Sequence, residues 1–464
     1  MLKFFHTYFP IRNLLFFLGE GGLIFGSLLV ASHVASDLWY PVSGARHSMA
    51  LRMLITTVVV QLSLYYHELY EMKARESVLE LAIRLLQALG VACILLAALY
   101  AMDAKLIIAN KIFFLALFLL VFGLLSWRFA YQYICERKLL TESILLLGNG
   151  QMANLIAREI NRNLDSGYVV RALVEPQAAT DRHPVWNCPV YRDYDTLCER
   201  ALEDGIRRIV VALDERRGNF PVRALLRCKM MGISVLDGVS FFEALSGRIP
   251  VEKANPSWLI FSEGFRRHRL LTVGKRCLDI AFALIGLVLS APIMLVVACA
   301  VKFTSEGPVF FRQERVGQYE RPIVVVKFRT MVKDAEKQTG AVWASDSDPR
   351  VTPVGRVLRK LRLDELPQFW NVLKGDMSFV GPRPERPVFV ARLKEQIPFY
   401  GERHVVKPGI TGWAQVNYGY GASEEDALRK LEYDLFYIKH MSLFLDLYVI
   451  LKTVQIVLFG KGAR

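Results

Sequence analysis

Long apolar runs separated by short polar breaks fill the first 140 residues. Four stretches, 13–34, 49–70, 79–101 and 106–127, each hold roughly twenty residues, enough to cross a hydrocarbon core of about 30 Å as helices. The charges inside them are Glu20, Arg52, Arg84 and Lys111. No buried pair of charges is expected among these, so the bundle reads as an anchor and not as a transport path. Four spans leave both ends on one side. Lys3, Arg12, Lys73, Arg75, Arg128, Arg137 and Lys138 fall on that side, against Arg46 and Lys105 on the other, which assigns both ends to the cytoplasm.

The pattern changes at 143. "SILLLGNGQMANLIAREI" reads as strand, glycine-rich turn and helix. Gly148, Gly150 and Ala153 give a G-x-G-x-x-A spacing, in which small residues let a backbone approach a pyrophosphate at a helix N-terminus. The next strand, "YVVRALVE", ends in Glu175, where an acidic partner for a ribose would sit. Strands at 207–213 and 232–237 complete a Rossmann-like α/β unit. The order of elements supports the fold. It leaves the ligand open, since such turns also occur with nothing bound.

A basic stretch, "FRRHRLLTVGKR", leads into an apolar run at 277–303 that is interrupted by Ser290 and Pro292. Proline removes a backbone donor and bends a helix. One reading is a kinked fifth span that places the rest of the chain outside the cell. The other is a re-entrant helix that dips into one leaflet and returns. Arg266 to Arg276 precede it, and Lys302 and Arg312 follow, so positive charge flanks both ends and favours the re-entrant reading.

Beyond it, "GPVFFRQERVG" and "IVVVKFRTM" read as two short strands presenting Arg312, Arg315, Lys327 and Arg329. "VGRVLRKLRLDELPQFWNVLKGDM" reads as one helix entering another, with Leu358, Leu361, Leu366, Phe369 and Val372 on the apolar face. "VGPRP" is a stiff turn whose prolines fix the direction of Arg383. "VKPGITGWAQVNY" reads as a loop without regular structure. "LEYDLFYIKHMSLFLDLYVILKTVQIVLFG" (431–460) reads as a helix whose end is apolar on one side with Lys439, His440 and Lys452 on the other, suited to the membrane interface.

Composition sharpens this picture. The chain has 464 residues, 53% of them hydrophobic, a mean hydropathy of +0.28 and a formal net charge of +14. A basic, apolar chain points to anionic lipid or phosphorylated substrates and away from nucleic acid. Seven cysteines with no Cys-x-x-Cys and no metal spacing read as reduced and scattered.

The carboxylate pair Asp364–Glu365 carries the chemistry. Arg356, Arg359, Lys360 and Arg362 precede it, and Arg383 and Arg386 follow. Cations keep a carboxylate ionised and gather phosphates, which Arg binds bidentately. A carboxylate among phosphates can hold Mg²⁺ or attack phosphorus. Both uses suit phosphoryl transfer.

The motifs "KRCLDI", "LSAPIMLV", "GPVFFRQERVG", "VVKFRTM", "LRKLRLDELPQFWNVLKGDMSFVGPRP", "KPGITGWAQVN" and "YDLFYIKHMSLFLDL" resemble, in order and spacing, the monotopic phosphoglycosyl transferases. More loosely, the first 260 residues resemble the N-terminal part of the large members, which prime exopolysaccharide or O-antigen synthesis. The resemblance implies a membrane protein of three parts. They are a four-helix transmembrane bundle over 1–140, a Rossmann-like α/β domain over 141–262, and an α/β catalytic domain over 263–464 with a re-entrant helix at 277–303 and interfacial amphipathic helices. It implies that Asp364 attacks the β-phosphate of a UDP-sugar, that UMP leaves, and that undecaprenyl phosphate takes the phosphosugar. Mg²⁺ would sit against Asp364, with Glu365 assisting. Arg359, Arg383, Lys327, Arg329 and Gln368 would bind substrate phosphate. The domain would face the cytoplasm at a bacterial inner membrane. Expected partners are membrane lipid, a second copy of the chain and other polysaccharide-assembly proteins. The family often has Ser-Pro directly at its kink, whereas Ala291 stands between Ser290 and Pro292 here, so the kink geometry stays open. The sugar transferred stays open as well.

Two other readings compete. A nucleotide-sugar dehydratase or epimerase needs a Tyr-x-x-x-Lys, and the one instance, Tyr448 to Lys452, reads as packing in the apolar terminal helix. A non-catalytic scaffold is opposed by the intact set of Asp364, Glu365 and Arg383.

Overall fold

The computed structural model describes residues 2–459 except 5–6, 10, 40–45, 71–77, 104–105, 107, 109, 138–140, 164–165, 176–185, 187, 215–219, 266–267, 334, 336–347, 420 and 422. Lys73, Arg75, Lys105, Lys138 and Arg266, counted in the charge argument above, lie outside the described residues. Apart from Phe5–Thr7, the chain falls into two compact units that divide at Phe241/Phe242.

In the first unit a short pair of strands, β1 (Leu2–Phe4) and β2 (Thr7–Phe9), precedes four long helices. These are α1 (Ile11–Trp39), α2 (Arg46–Tyr66), α3 (Val78–Met102) and α4 (Asn110–Glu136). Each contains a segment apolar and long enough to cross a membrane. Each buries one stripe at helical spacing, such as Ile24, Leu28 and Ala31 on α1 or Ala116, Leu120 and Leu124 on α4. The opposite faces leave large apolar groups exposed, as at Phe114, Phe118 and Phe122, which is the signature of lipid contact and not of a water-soluble bundle. With a fifth such helix in the second unit, the chain is a multi-pass membrane protein.

One expectation is corrected here. Glu20 and Arg128 form a buried ion pair at 2.6 Å, with the two side chains 0% and 5% exposed. The sequence placed Arg128 beyond the last span because apolar residues run out near 127. The helix continues to Glu136, and that extension carries Arg128 onto Glu20.

The same unit holds a five-stranded parallel sheet in the order β5-β4-β3-β6-β7. Its strands are β3 (Glu142–Leu147), β4 (Tyr168–Val174), β5 (Val190–Tyr191), β6 (Arg208–Val211) and β7 (Ser234–Asp237). Helices α5 (Gln151–Arg162), α6 (Leu197–Glu203) and α7 (Val222–Met230) connect them, which gives the Rossmann-like unit expected from the sequence. A second correction falls here. Cys198 and Cys228 form a disulfide with Cα atoms 5.1 Å apart, because α6 and α7 pack side by side on the core. The sequence had read every cysteine as reduced.

The second unit starts in α8 (Gly238–Ser246) and α9 (Pro256–Phe261). Residues after 242, which the sequence assigned to the α/β unit, pack here: Ile249 N–H donates to the Glu432 carbonyl, and Arg248 pairs with Glu432 at 2.7 Å. Helix α10 (Arg269–Thr304) runs 36 residues through Pro292 as one element. Ser290 Oγ donates to the Gly286 carbonyl at 2.6 Å, one turn back, a bond that locally bends helices.

The globular elements dock along the whole of α10. Arg276 donates to the carbonyls of Val372 and Leu373 at 2.6 and 2.7 Å. Asp279 accepts from Ser378 Oγ and Phe379 N–H. Ala283 joins a core with Val325, Val372 and Met377, and Val297 and Val301 pack with Phe328 and Leu358. On the other side Leu284, Ile285, Val288, Leu289, Ile293, Leu295 and Val296 stay exposed.

An antiparallel hairpin follows, β8 (Phe310–Val316) and β9 (Pro322–Phe328). Then come α11 (Pro353–Lys360), α12 (Gln368–Lys374), β10 (Ser378–Val380), α13 (Pro387–Gln396), β11 (Gly409–Thr411), α14 (Trp413–Asn417), α15 (Glu424–Lys439) and α16 (Leu443–Phe459). The "KPGITGWAQVN" segment is more ordered than expected: β11 pairs with β10 in parallel, and α14 follows directly. Gly381, Gly409 and Gly412 permit this, because a Cβ on any of them would overlap the facing backbone. The terminal helix is broken at His440–Ser442. Lys439 and His440 do not face water but pair with buried Glu243 at 2.7 and 2.6 Å. Tyr448 packs on the Trp413 ring and Lys452 reaches Asn417 Oδ1, consistent with a packing role for that pair.

Candidate active site

The carboxylate pair sits at a turn that the local sequence dictates. Thr352 caps α11 by accepting from Gly355 N–H at 2.9 Å, with Pro353 at the first helical position. The helix ends at Lys360, and Arg362 then adopts a left-handed conformation, φ 56°, which an arginine takes only under constraint. That reversal leads into a turn of 3-10 helix, Leu363–Glu365, which carries Asp364 and Glu365. Pro367 stops the turn and starts α12. Both carboxylates are buried, 9% and 8% exposed.

Their surroundings differ. Glu365 is held from two sides: Lys327 Nζ donates to it at 3.0 Å, and Arg383 donates at 2.5 and 3.4 Å through its two terminal nitrogens. Asp364 has no hydrogen bond or ion pair among the described residues. Burial acts to raise the Glu365 carboxyl, but Arg383 and Lys327 outweigh it and hold the group well below the usual carboxylate range. Burial, and then the Glu365 charge, raise the Asp364 carboxyl, against the pull of Lys327, Arg383 and Arg359. Two adjacent carboxylates therefore have separate chemistries: one neutralised by cations, the other buried, basic and unengaged.

Each cation is positioned by a further layer. Lys327 lies on β9, and Asn371 of α12 sews that strand in place, accepting from Val326 N–H at 3.0 Å and donating to the Val324 carbonyl at 2.7 Å. Arg383 projects between Pro382 and Pro384. Its carbonyl accepts from Arg403 at 3.1 Å, and the next carbonyl, of Pro384, accepts from Arg315 at 3.1 Å. Arg403 is itself fixed by Asp434 at 2.8 Å and by the Tyr400 hydroxyl at 2.6 Å, all three buried. Asn371, Arg403, Asp434 and Tyr400 were missed in the sequence. The legible signal was Asn371, a polar residue among the apolar positions of α12.

Of the residues expected at the site, Lys327, Arg383, Asp364 and Glu365 come together. Arg359 donates through Nε to Thr330 Oγ1 at 2.9 Å, and its charge acts on Asp364. Gln368 is buried, and its Nε2 lacks a hydrogen-bond partner among the described residues. Arg329 is put to a different use. It is buried and donates to the carbonyls of Val301, Ser305 and Glu306, closing the C-terminus of α10, so the expectation that it binds substrate phosphate is corrected. Ser290 and Pro292 lie on α10, and Gly148, Gly150 and Ala153 belong to the first unit.

The site also suits the expected Mg²⁺. No cluster of three metal-ligating side chains occurs among the described residues. Mg²⁺ needs no such cage, being commonly held by one or two carboxylates together with substrate phosphates, and Asp364 is the carboxylate not already spent on a cation.

Residues 270–460 match the bacterial sugar transferase family, and residues 66–229 match a family described as a CoA-binding domain. A UDP-N-acetylgalactosamine-undecaprenyl-phosphate N-acetylgalactosaminephosphotransferase from Aeromonas hydrophila is 46% identical over 52% of this chain and 56% of its own length. The UDP-glucose:undecaprenyl-phosphate glucose-1-phosphate transferase of Escherichia coli K12 is 46% identical over 39% of each chain. These matches thus span about half of such relatives or less. A putative undecaprenyl-phosphate N-acetylgalactosaminyl 1-phosphate transferase from Bacillus subtilis is 50% identical over 28% of this chain, which covers 72% of it. With the carboxylate pair, its cations and the Pro-Arg-Pro turn all assembled in the matched region, the chain belongs to the bacterial sugar transferase family.

Proposed function

We propose that the chain moves a sugar-1-phosphate from a UDP-sugar to undecaprenyl phosphate through a covalent intermediate on Asp364. The observation that carries this is the asymmetry of the pair: Asp364 is buried and unengaged beside a Glu365 held by Lys327 and Arg383. An Asp364 oxygen attacks the β-phosphorus of the donor. The bond from that phosphorus to the bridging oxygen breaks, UMP leaves with the oxygen, and an acyl phosphate bearing the sugar remains. A phosphate oxygen of undecaprenyl phosphate then attacks the same phosphorus, and the acyl-phosphate bond breaks to restore the carboxylate. Neither step moves a proton. Arg359, Lys327 and Arg383 balance the phosphate charge. Mg²⁺, held by Asp364 and the diphosphate, would supply further charge neutralisation at the phosphorus.

The second substrate is a lipid, and α10 fits a monotopic placement. Between Arg276 and Val301 the helix covers about 38 Å, more than the hydrocarbon core, yet both ends dock on elements of the same compact unit, Arg276 on α12 and Val301 on β9 and α11. A helix crossing the bilayer would put those ends on opposite sides. The exposed apolar stretch, Leu284 to Val296, is about 18 Å long, the depth of one leaflet. This supports a re-entrant helix with the catalytic elements on the cytoplasmic face of a bacterial inner membrane. The test is UMP release from a panel of UDP-sugars with undecaprenyl phosphate and Mg²⁺. One donor should release UMP with the wild type and none with Asp364→Asn. Full activity in the variant would remove Asp364 from the chemistry.

A further inference from the structure

The turn at Gly148–Ala153 is not used by the proposed reaction. It lies at the C-terminal end of β3, with β4 on one side and β6 on the other. This is the switch point where open α/β sheets take nucleotide ligands. A pyrophosphate there would be held by the free N–H groups at the start of α5. Those groups are engaged. Gln151 and Met152 N–H donate to the two carboxylate oxygens of Asp214, just beyond β6, at 2.7 and 3.2 Å. A Cβ on Gly150 would overlap this carboxylate. The glycine expected to make room for a pyrophosphate therefore makes room for Asp214.

Two neighbours add to the effect. Glu175, the expected ribose partner, accepts from Asn149 Nδ2 at 3.0 Å, inside the turn itself. Asp237, at the end of β7, accepts from Ser240 N–H at 3.1 Å. Three carboxylates therefore stand at the C-terminal ends of neighbouring strands, with Asp214 on the turn itself. Like charges at this edge disfavour a bound phosphate.

We propose that Asp214 is a resident anion of this turn, so that the α/β unit takes neither CoA nor a dinucleotide there. The similarity to a CoA-binding family then reflects the fold and not the ligand. The test uses the full chain in detergent. In calorimetric titrations of the wild type with CoA and with NAD⁺ at millimolar concentration, no binding is expected. Saturable binding of either overturns the proposal. In a second arm, Asp214→Ala vacates the helix N-terminus, and inorganic phosphate is the probe, compared with chloride at matched ionic strength. The variant's thermal midpoint should rise with phosphate by a few degrees more than the wild type's. Equal responses would overturn the assignment of Asp214 as the group standing in a phosphate's place. If the variant fails to fold, the wild-type titrations decide alone.

Discussion

The Arg383 guanidinium lies 2.5 Å from the Glu365 carboxylate, and this contact divides the work of the pair. Arg383 and Lys327 spend their charge on Glu365 directly and act on Asp364 only through space. Asp364 is left buried and without a hydrogen bond among the described residues, as the proposed attack requires.

The first prediction separates chemistry from folding at that position. Asp364→Asn should lower turnover on the order of 10³-fold or more, because no other described carboxylate of the turn is unengaged. Burial raises the Asp364 carboxyl, so its ionised form costs stability at neutral pH. The isosteric amide removes that charge, and the thermal midpoint should hold or rise, as expected where a site trades stability for activity. A lower midpoint would mean that Asp364 is structural.

The pH dependence follows from the same pair. In the proposed reaction Asp364 attacks as the carboxylate, so its raised carboxyl should place the acid limb of kcat/KM above the usual carboxylate value. Glu365 is one cause of that rise. In Glu365→Gln the cations act on Asp364 unopposed, so the limb should move to lower pH and the plateau should fall as the nucleophile becomes less basic. The stability term has the opposite sign. The Glu365 carboxyl is depressed in the fold, so its contribution is present above the unfolded value and is lost as pH falls through the folded one. The variant should therefore lose stability at pH 7 and lose less on acidification than the wild type. An unmoved acid limb would disconnect Glu365 from the nucleophile.

How far the sequence reached can be judged from these residues. Asp364, Glu365 and Arg383 were legible because cations gathered around a carboxylate pair and prolines beside an arginine are local patterns; Lys327, 38 residues before Glu365, was expected at the site without its partner being legible. The two roles within the pair were not, since they depend on which cation reaches which oxygen. Arg329 misled for the same reason: its charge is visible in the string, but its use on the carbonyls of α10 is set by packing. Long-range partners stayed hidden throughout. Glu20 and Arg128 are 108 residues apart, and nothing local signals that they meet. The spans, the α/β order and the hairpin were legible because periodicity reports burial directly.

Asn371 offers a test of positioning without touching substrate. Asn371→Leu keeps the volume but strands Val326 N–H and the Val324 carbonyl, at about 1–3 kcal/mol each. The strand that carries Lys327 loses its tie to α12. We expect a lower midpoint together with a lower kcat, and a KM changed much less. Asn371→Asp, which keeps an acceptor for Val326, should recover part of both. A midpoint loss with kcat intact would show that Lys327 does not depend on this tie.

The last prediction concerns the transmembrane unit. The Glu20–Arg128 pair is buried between α1 and α4, and Arg128 also donates to the Leu69 carbonyl and lies over the Phe16 and Tyr70 rings. Removing one partner leaves an uncompensated charge in a desolvated place, so Glu20→Met or Arg128→Met alone should each cost about 3–5 kcal/mol. Removing both leaves no charge to solvate, and a well-packed apolar pair is often as stable as the ion pair it replaces. The double variant should therefore regain most of the loss in a detergent unfolding experiment, with strongly non-additive single effects. If the pair only fastens α1 to α4, transferase activity should follow stability across all three variants. If the double variant is stable but inactive, the charges serve the reaction as well as the fold.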